Sequence, residues 1–174
     1  MSGALAAVRR ADWRFLLPEP GLGRVACLPP HEPELIAALL ALGADVDRLE
    51  APGAAADHDV VVLTAGSRRA VTAARAQLRP DGWLYAEVPG RAALAWARAL
   101  RGAGFEDVTA HWLWPDARTC REMVPLDRAA LLHAISRRDP GARLRARAGA
   151  ASLLVRLGLF RLAMRRVAVI GRRS

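Results

Sequence analysis

The sequence predicts an α/β protein built on an open, mostly parallel, doubly wound sheet. Two observations indicate this fold. Short apolar runs alternate with stretches of helical periodicity over residues 24–115, and His58 to Thr64 form a largely β-branched run. Such a run is typical of a central parallel strand buried on both faces. Strands that alternate with helices, connected by right-handed crossovers, form a parallel sheet covered by helices on both sides.

The elements of the first half follow from apolar runs and from turn chemistry. We predict strands at 24–28, 45–50 and 58–64, and helices at 32–42 and 67–78. Pro33 suits the first turn of a helix and Gly43 suits its carboxyl end. Ser67 can cap the next helix.

The second half continues the alternation and then becomes mainly helical. We predict strands at 83–88, 107–114 and 167–170, a helix at 91–101, and a helical region over 127–166 that breaks near 139–141. Pro80-Asp81-Gly82 is predicted to be a turn because its residues favour turn conformations. The chain is expected to form one domain over residues 1–174.

The composition supports a single globular domain and locates the excess charge. Of the 174 residues, 53% are hydrophobic and 25% are charged, which excludes a largely disordered chain. Residues 1–117 carry 12 Arg and 14 Asp or Glu, whereas residues 118–174 carry 14 Arg and three acids. The net charge of +9 therefore comes from the C-terminal third.

Neither a metal site nor a membrane span is predicted. Cys27 and Cys120 do not form a metal-binding pair, and the histidines have no metal-like spacing. The most apolar stretch, 148–164, is interrupted by Arg156 and Arg161. It falls short of the roughly 18 uncharged residues of a spanning helix. With no signal-peptide pattern, we expect a cytoplasmic protein.

Two segments resemble motifs of class I S-adenosylmethionine-dependent methyltransferases. Leu78–Val88 (LRPDGWLYAEV) is similar to the family's L-R-P-G-G-x-L turn and fifth strand, and Ala99–Val108 is similar to its L-x-x-A-G-F-x-x-V pattern. Val167–Arg173 resembles the final antiparallel strand. The resemblance implies a Rossmann-like sheet core at 24–115, a basic helical insertion at 118–166 and a last strand at 167–173.

The resemblance also implies a cofactor, S-adenosylmethionine, and a small-molecule substrate. It assigns cofactor binding to Leu28, Pro29, Pro30, Glu50, Thr64, Ala65 and Gly66. Glu50 corresponds to the acid that binds the ribose hydroxyls. The chain departs from the family in two ways: the turn after the first strand has no glycine, and only residues 51–58 separate Glu50 from Asp59. One βα unit is therefore missing.

Each candidate residue has a structural alternative. Glu50 could be an exposed charge at a strand end, and Thr64-Ala65-Gly66 could be a plain turn. His111 could act as a general base, because its ordinary pKa of about 6.5 lies near neutral pH, or it could be structural. The alternative function is a non-catalytic partner subunit or scaffold of the same fold.

Arginines and apolar residues are interleaved near the C-terminus, and three interpretations compete. The helices could cover the sheet, bind anionic lipid or an acidic protein, or contact nucleic acid. Nucleic acid is the least favoured because no stacking aromatics are interleaved. Separately, the sheet edge left open by the missing βα unit favours a homodimer.

Overall fold

The computed structural model describes residues 8–50, 57–65, 70–137 and 142–174, and for residues 142–148 it describes the backbone alone. The strands are β1 (Arg24–Leu28), β2 (Asp45–Arg48), β3 (His58–Leu63), β4 (Leu78–Val88), β5 (Phe105–Trp114), β6 (Glu122–Pro125) and β7 (Val167–Arg173). They form one sheet in the order β2-β1-β3-β4-β7-β5-β6. The first four are parallel, and β7 is antiparallel to both β4 and β5.

Helices cover both faces of this sheet. They are α1 (Pro33–Ala41), α2 (Ala70–Gln77), α3 (Ala93–Gly102), α4 (Arg128–Ser136), α5 (Ala142–Arg156) and α6 (Phe160–Ala163), and a 3₁₀ segment spans Arg9–Leu16. Trp96 of α3 and Ile135 of α4 belong to the core on one face. Trp13 of the 3₁₀ segment and Leu39 of α1 belong to the core on the other. The sheet is therefore doubly wound, as predicted.

The predicted helical segment over residues 118–166 contains a strand, which corrects the sequence-based prediction. Glu122–Pro125 form β6, antiparallel to the end of β5. Val124 is 4% exposed and joins the core, and Pro125 is at the sheet edge, where its missing N–H breaks no ladder hydrogen bond. Two strands, β6 and β7, therefore run against the others, instead of the one predicted.

The predicted turn at residues 80–82 lies inside β4 and does not precede it. The register between β3 and β4 shifts between His58 and Val60, and Asp81 has a φ of 63°. A Cβ atom at Gly82 would lie 3.0 Å from the carbonyl oxygens of Arg79 and His58. The turn residues therefore form an irregularity within a long strand, packed closely against its neighbour.

The strand β2 forms one edge of the sheet, where the sequence indicated a missing βα unit. Whether this edge pairs in a homodimer stays a prediction. Among the described helices, none has the length and apolar character needed to cross a bilayer. The described residues also contain no group of three or more His, Cys, Asp or Glu side chains placed to hold a metal ion.

Candidate functional site

The candidate site lies at the carboxyl edge of the sheet, between β1 and β3. The strand β1 pairs with β2 on one side and with β3 on the other, so the chain connections diverge at this point. Ligands of open α/β sheets bind at such switch points. Leu28 and Leu63 are paired in register at the ends of the two strands, and both are buried. The strand ends beneath the site are therefore apolar.

A cavity of about 300 Å³ opens at these strand ends. It is lined by Pro30, His31, Glu32, Pro33, Thr64, Ala65, Arg118 and Arg166. The two loops are joined, because Thr64 Oγ1 donates a hydrogen bond to the carbonyl oxygen of Pro30 at 2.8 Å. Three of the predicted residues, Pro30, Thr64 and Ala65, thus meet in one cavity.

Glu50 lies just beyond β2 and is connected to this cavity through His31. Its side chain is 86% exposed, and its Oε1 lies 3.4 Å from Nε2 of His31. Both ring nitrogens of His31 are buried, and no described residue makes a hydrogen bond to them. Glu50 therefore offers a largely solvated carboxylate beside the cavity, and His31 contacts it from the cavity wall.

Arg10 is buried among polar side chains next to the cavity. Its guanidinium pairs with Glu32 and, at 2.5 Å, with Glu87. The hydroxyl of Tyr85 donates to Oε1 of Glu87 at 2.7 Å, and the Tyr85 ring stacks on Trp13 with centroids 4.1 Å apart. We call Arg10, Glu32, Tyr85 and Glu87 the Arg10 cluster. It ties the 3₁₀ segment, the start of α1 and the end of β4 together.

Arg10, Glu32 and Tyr85 of the Arg10 cluster have pKa values that their surroundings shift. Burial disfavours the charged form of Arg10, but the charge and hydrogen bonds of its acidic partners outweigh burial and raise its pKa. Burial also opposes ionisation of Glu32, but hydrogen bonds and charge from Arg10 and Arg118 bring its pKa below the ordinary value. Burial and then the charge of Glu87 raise the pKa of Tyr85. The phenol therefore stays protonated and acts as a donor.

Two arginines distant in sequence from the strand ends bring positive charge to the cavity. Nη1 of Arg166 donates to the carbonyl oxygen of Thr64 at 2.6 Å and lies 4.0 Å from Oε2 of Glu87. Nε of Arg118 lies 3.3 Å from Oε1 of Glu32. Their side chains are 45% and 65% exposed. Because a guanidinium has five N–H donors, each can still bind a carboxylate or phosphate.

Not all of the predicted site residues meet in the cavity. Leu28 is buried beneath it and Pro29 is exposed in the adjoining turn, while Gly66 lies outside the described residues. His111 is on β5, three strands from β3, or about 14 Å across the sheet. Its Nε2 lies 3.1 Å from Oγ1 of Thr109, and burial lowers its pKa. His111 does not line the cavity.

Arg10, Glu87 and Arg166 were not identified from the sequence. One signal could have revealed Glu87, since it interrupts the buried run of β4, and a buried acid requires a partner. Its partner Arg10 lies in a distant segment with no repeating pattern. Arg166 was grouped with the other C-terminal arginines, for which three interpretations competed, and it contacts the end of β3.

No protein-family model matches this sequence, and no curated protein matches it. The structure is similar to a SAM-dependent methyltransferase from Archaeoglobus fulgidus, with 10% identity, a TM-score of 0.53, and coverage of 97% of this chain and 94% of that one. It is also similar to a possible histamine N-methyltransferase from Thermotoga maritima (14% identity, TM-score 0.47, coverage 98% and 89%). A third similar structure is a SAM-dependent methyltransferase from Geobacter sulfurreducens in complex with S-adenosyl-L-homocysteine (11% identity, TM-score 0.37, coverage 99% and 90%). The likeness to the Archaeoglobus structure shows that this chain has the Rossmann-like methyltransferase fold, as predicted.

Proposed function

We propose that the chain binds S-adenosylmethionine in the cavity between β1 and β3 and transfers the methyl group to a small molecule. One observation carries the proposal. At the switch point of a methyltransferase fold, the cavity is lined by His31 and by two partly exposed arginines, Arg118 and Arg166, and the solvated carboxylate of Glu50 lies beside it, 3.4 Å from Nε2 of His31. This set of polar groups suits a ligand that has both a ribose and an amino-acid part.

The side chains around the cavity match the polar groups of this cofactor. Glu50 would accept hydrogen bonds from the ribose hydroxyls, as acids at this position of Rossmann-like folds do. Arg118 or Arg166 would bind the carboxylate of the methionine part, and Glu32 would face its ammonium group. The bound cofactor supplies an electrophilic methyl group on a sulfonium centre.

Binding in this cavity would depend on side chains more than on backbone. Pro29 and Pro30 have no N–H to donate, and a proline ring keeps a ligand farther from the backbone than glycine does. The volume of about 300 Å³ is also at the lower end of ligand pockets, which span about 300–1,000 Å³. We therefore expect weaker cofactor binding than a glycine-lined turn provides.

The contribution of the protein to catalysis would be orientation of the two reactants. Methyl transfer to a nucleophilic acceptor needs an in-line approach, and correct positioning alone can supply much of the rate enhancement. The Arg10 cluster fixes Glu32, and Arg166 fixes the end of β3 through the carbonyl of Thr64. The cavity walls are therefore held in place by ion pairs and hydrogen bonds.

Calorimetric titration with S-adenosylmethionine and, separately, S-adenosylhomocysteine tests the proposal. We expect both to bind, and Glu50→Ala to weaken each by about tenfold or more, because a hydrogen bond to a charged group contributes about 1.5–3 kcal/mol. Asp45→Ala removes an exposed acid at the other end of β2 and should leave the affinity unchanged. Absence of binding to the wild-type protein at millimolar ligand would refute the proposal.

A second candidate function is a non-catalytic partner subunit or scaffold, and one observation favours it. The guanidinium of Arg10 already pairs with both Glu32 and Glu87, so the carboxyl edge is stabilised by the chain's own side chains. A wild-type protein that binds neither ligand would support this second function. For either function we expect a cytoplasmic location, since Cys27 and Cys120 are free and buried, which suits a reducing compartment.

A further inference from the structure

Four leucines near the C-terminus are exposed to solvent on neighbouring elements. Leu153 lies in the last turn of α5, and Leu157 directly follows that helix. Leu159 directly precedes α6, and Leu162 lies within it. Their side chains are between 42% and 60% exposed. Single exposed leucines are ordinary, but a group of them marks an interaction surface.

These leucines are exposed although the same segment also packs against the core. Val155 and Met164 are each 6% exposed and belong to the core. The ring of Phe160 meets the edge of Trp112 with centroids 5.2 Å apart. Residues 153 and 157 are one helical turn apart and share a face that points away from Val155. The segment therefore carries apolar side chains on both its inner and its outer face.

Arginines surround the exposed leucines. Residues 140–174 contain nine arginines and no Asp or Glu. Arg156 and Arg165 are exposed and Arg161 is half-buried, and none of the three forms an ion pair with another described residue. By contrast, Arg172, near the end of β7, contacts Asp81, Glu106 and Asp107. The charge beside the leucines is thus available to an anionic partner.

We propose that this surface binds the headgroup region of an anionic lipid bilayer. We call it the basic leucine surface and define it by Leu153, Arg156, Leu157, Leu159, Leu162 and Arg165. Leucine inserts at the boundary of headgroups and acyl chains, while arginine pairs with lipid phosphates. Charge complementarity favours lipid, because the surface combines apolar side chains with arginines and has no acid. The proposal is independent of methyl transfer, since it requires no cofactor.

Vesicle flotation of the full chain tests the proposal. The protein is mixed with vesicles of phosphatidylcholine alone or of phosphatidylcholine with phosphatidylglycerol, and the floating fraction is measured. We expect binding only to vesicles that contain phosphatidylglycerol, and we expect it to weaken as salt screens the charges. Equal binding to both kinds of vesicle, or to neither, would overturn the proposal.

Two pairs of substitutions locate the binding surface. Leu157→Glu with Leu162→Glu, and Arg156→Glu with Arg165→Glu, should each lower the partition onto anionic vesicles by about tenfold or more. Leu40→Glu on α1, where the leucine is 53% exposed, and Arg48→Glu on β2 are matched controls that should retain binding. Thermal melting of each variant shows whether it is folded.

Other outcomes of these substitutions count against the proposal. If folded variants of the basic leucine surface float like the wild type, the lipid contact lies elsewhere. If the wild type binds no vesicle but self-associates, and the leucine pair abolishes that association, the surface is a protein interface. Either outcome leaves cofactor binding to be decided by the Glu50 titration, which shares no residue with this surface.

Discussion

Replacing Arg10 with alanine is expected to destabilise the fold strongly, although the residue lies in a short amino-terminal 3₁₀ segment. Arg10 is 4% exposed, and its guanidinium is shared by Glu32 and Glu87. Glu87 is itself 3% exposed. With alanine at position 10, the remaining described cation near Glu87 is Arg166, at 4.0 Å. The substitution therefore leaves a buried carboxylate with poor compensation.

The size of the effect follows from the cost of an uncompensated buried charge. Removing one partner of a buried ion pair costs about 3–5 kcal/mol. In a chain of this length, each kcal/mol lowers the melting temperature by about 2–4 °C. Arg10→Ala should therefore melt about 6–20 °C below the wild type. Arg9→Ala changes an exposed neighbour in the same segment, and should change the free energy of unfolding by less than about 0.5 kcal/mol.

A double variant separates the charge effect from lost packing. Arg10→Met combined with Glu87→Gln removes both charges, and the glutamine still accepts the hydrogen bond from Tyr85. Urea denaturation followed by circular dichroism should show this variant to be at least about 1 kcal/mol more stable than the sum of its single variants predicts. A loss below about 1 kcal/mol for Arg10→Ala would refute the reasoning, because the guanidinium would then not be a desolvated partner of Glu87.

The remaining predictions concern titration and thiol chemistry. The pKa of Glu32 is lowered in the fold, so its contribution to stability is present above its unfolded pKa of about 4.3 and is lost as the pH falls through the lower folded value. Glu32→Gln should flatten the decline in melting temperature between about pH 5 and pH 3, and an unchanged slope would contradict this. Burial raises the pKa of the Cys27 thiol to about 11 and also raises that of Cys120. Neither thiol should react with Ellman's reagent at neutral pH until urea unfolds the protein, and fast reaction of the native chain would show that the thiols are accessible.

The strands and helices of the first half could be predicted because local turn chemistry bounds them. Pro29 and Pro30 follow the end of β1, and Gly43, with a φ of 79°, follows α1. The order of the strands in the sheet could not be predicted in the same way. No local pattern indicates that β7 lies between β4 and β5, and the family resemblance implied only that the last strand is antiparallel. The strand β6 was missed because four residues become a strand only by pairing with β5.

The candidate site could be predicted where its residues follow strand ends. Pro30, Thr64 and Ala65 have that position, and they line one cavity. The Arg10 cluster could not be predicted, since its charges come from separate segments and an ion pair between distant segments leaves no periodic signal. The sequence left open whether His111 acts as a general base or is structural, and strand order places it three strands away from β3.

The central position of β7 has a consequence for how the protein is made in the cell. It is the last strand in chain order, yet it pairs with β4 on one side and β5 on the other. Until the ribosome has synthesised residues 167–173, both of those strands have an open edge, and open edges pair with other chains. Nascent chains on neighbouring ribosomes are therefore exposed to mispairing, and the sheet can close only once this segment has left the exit tunnel.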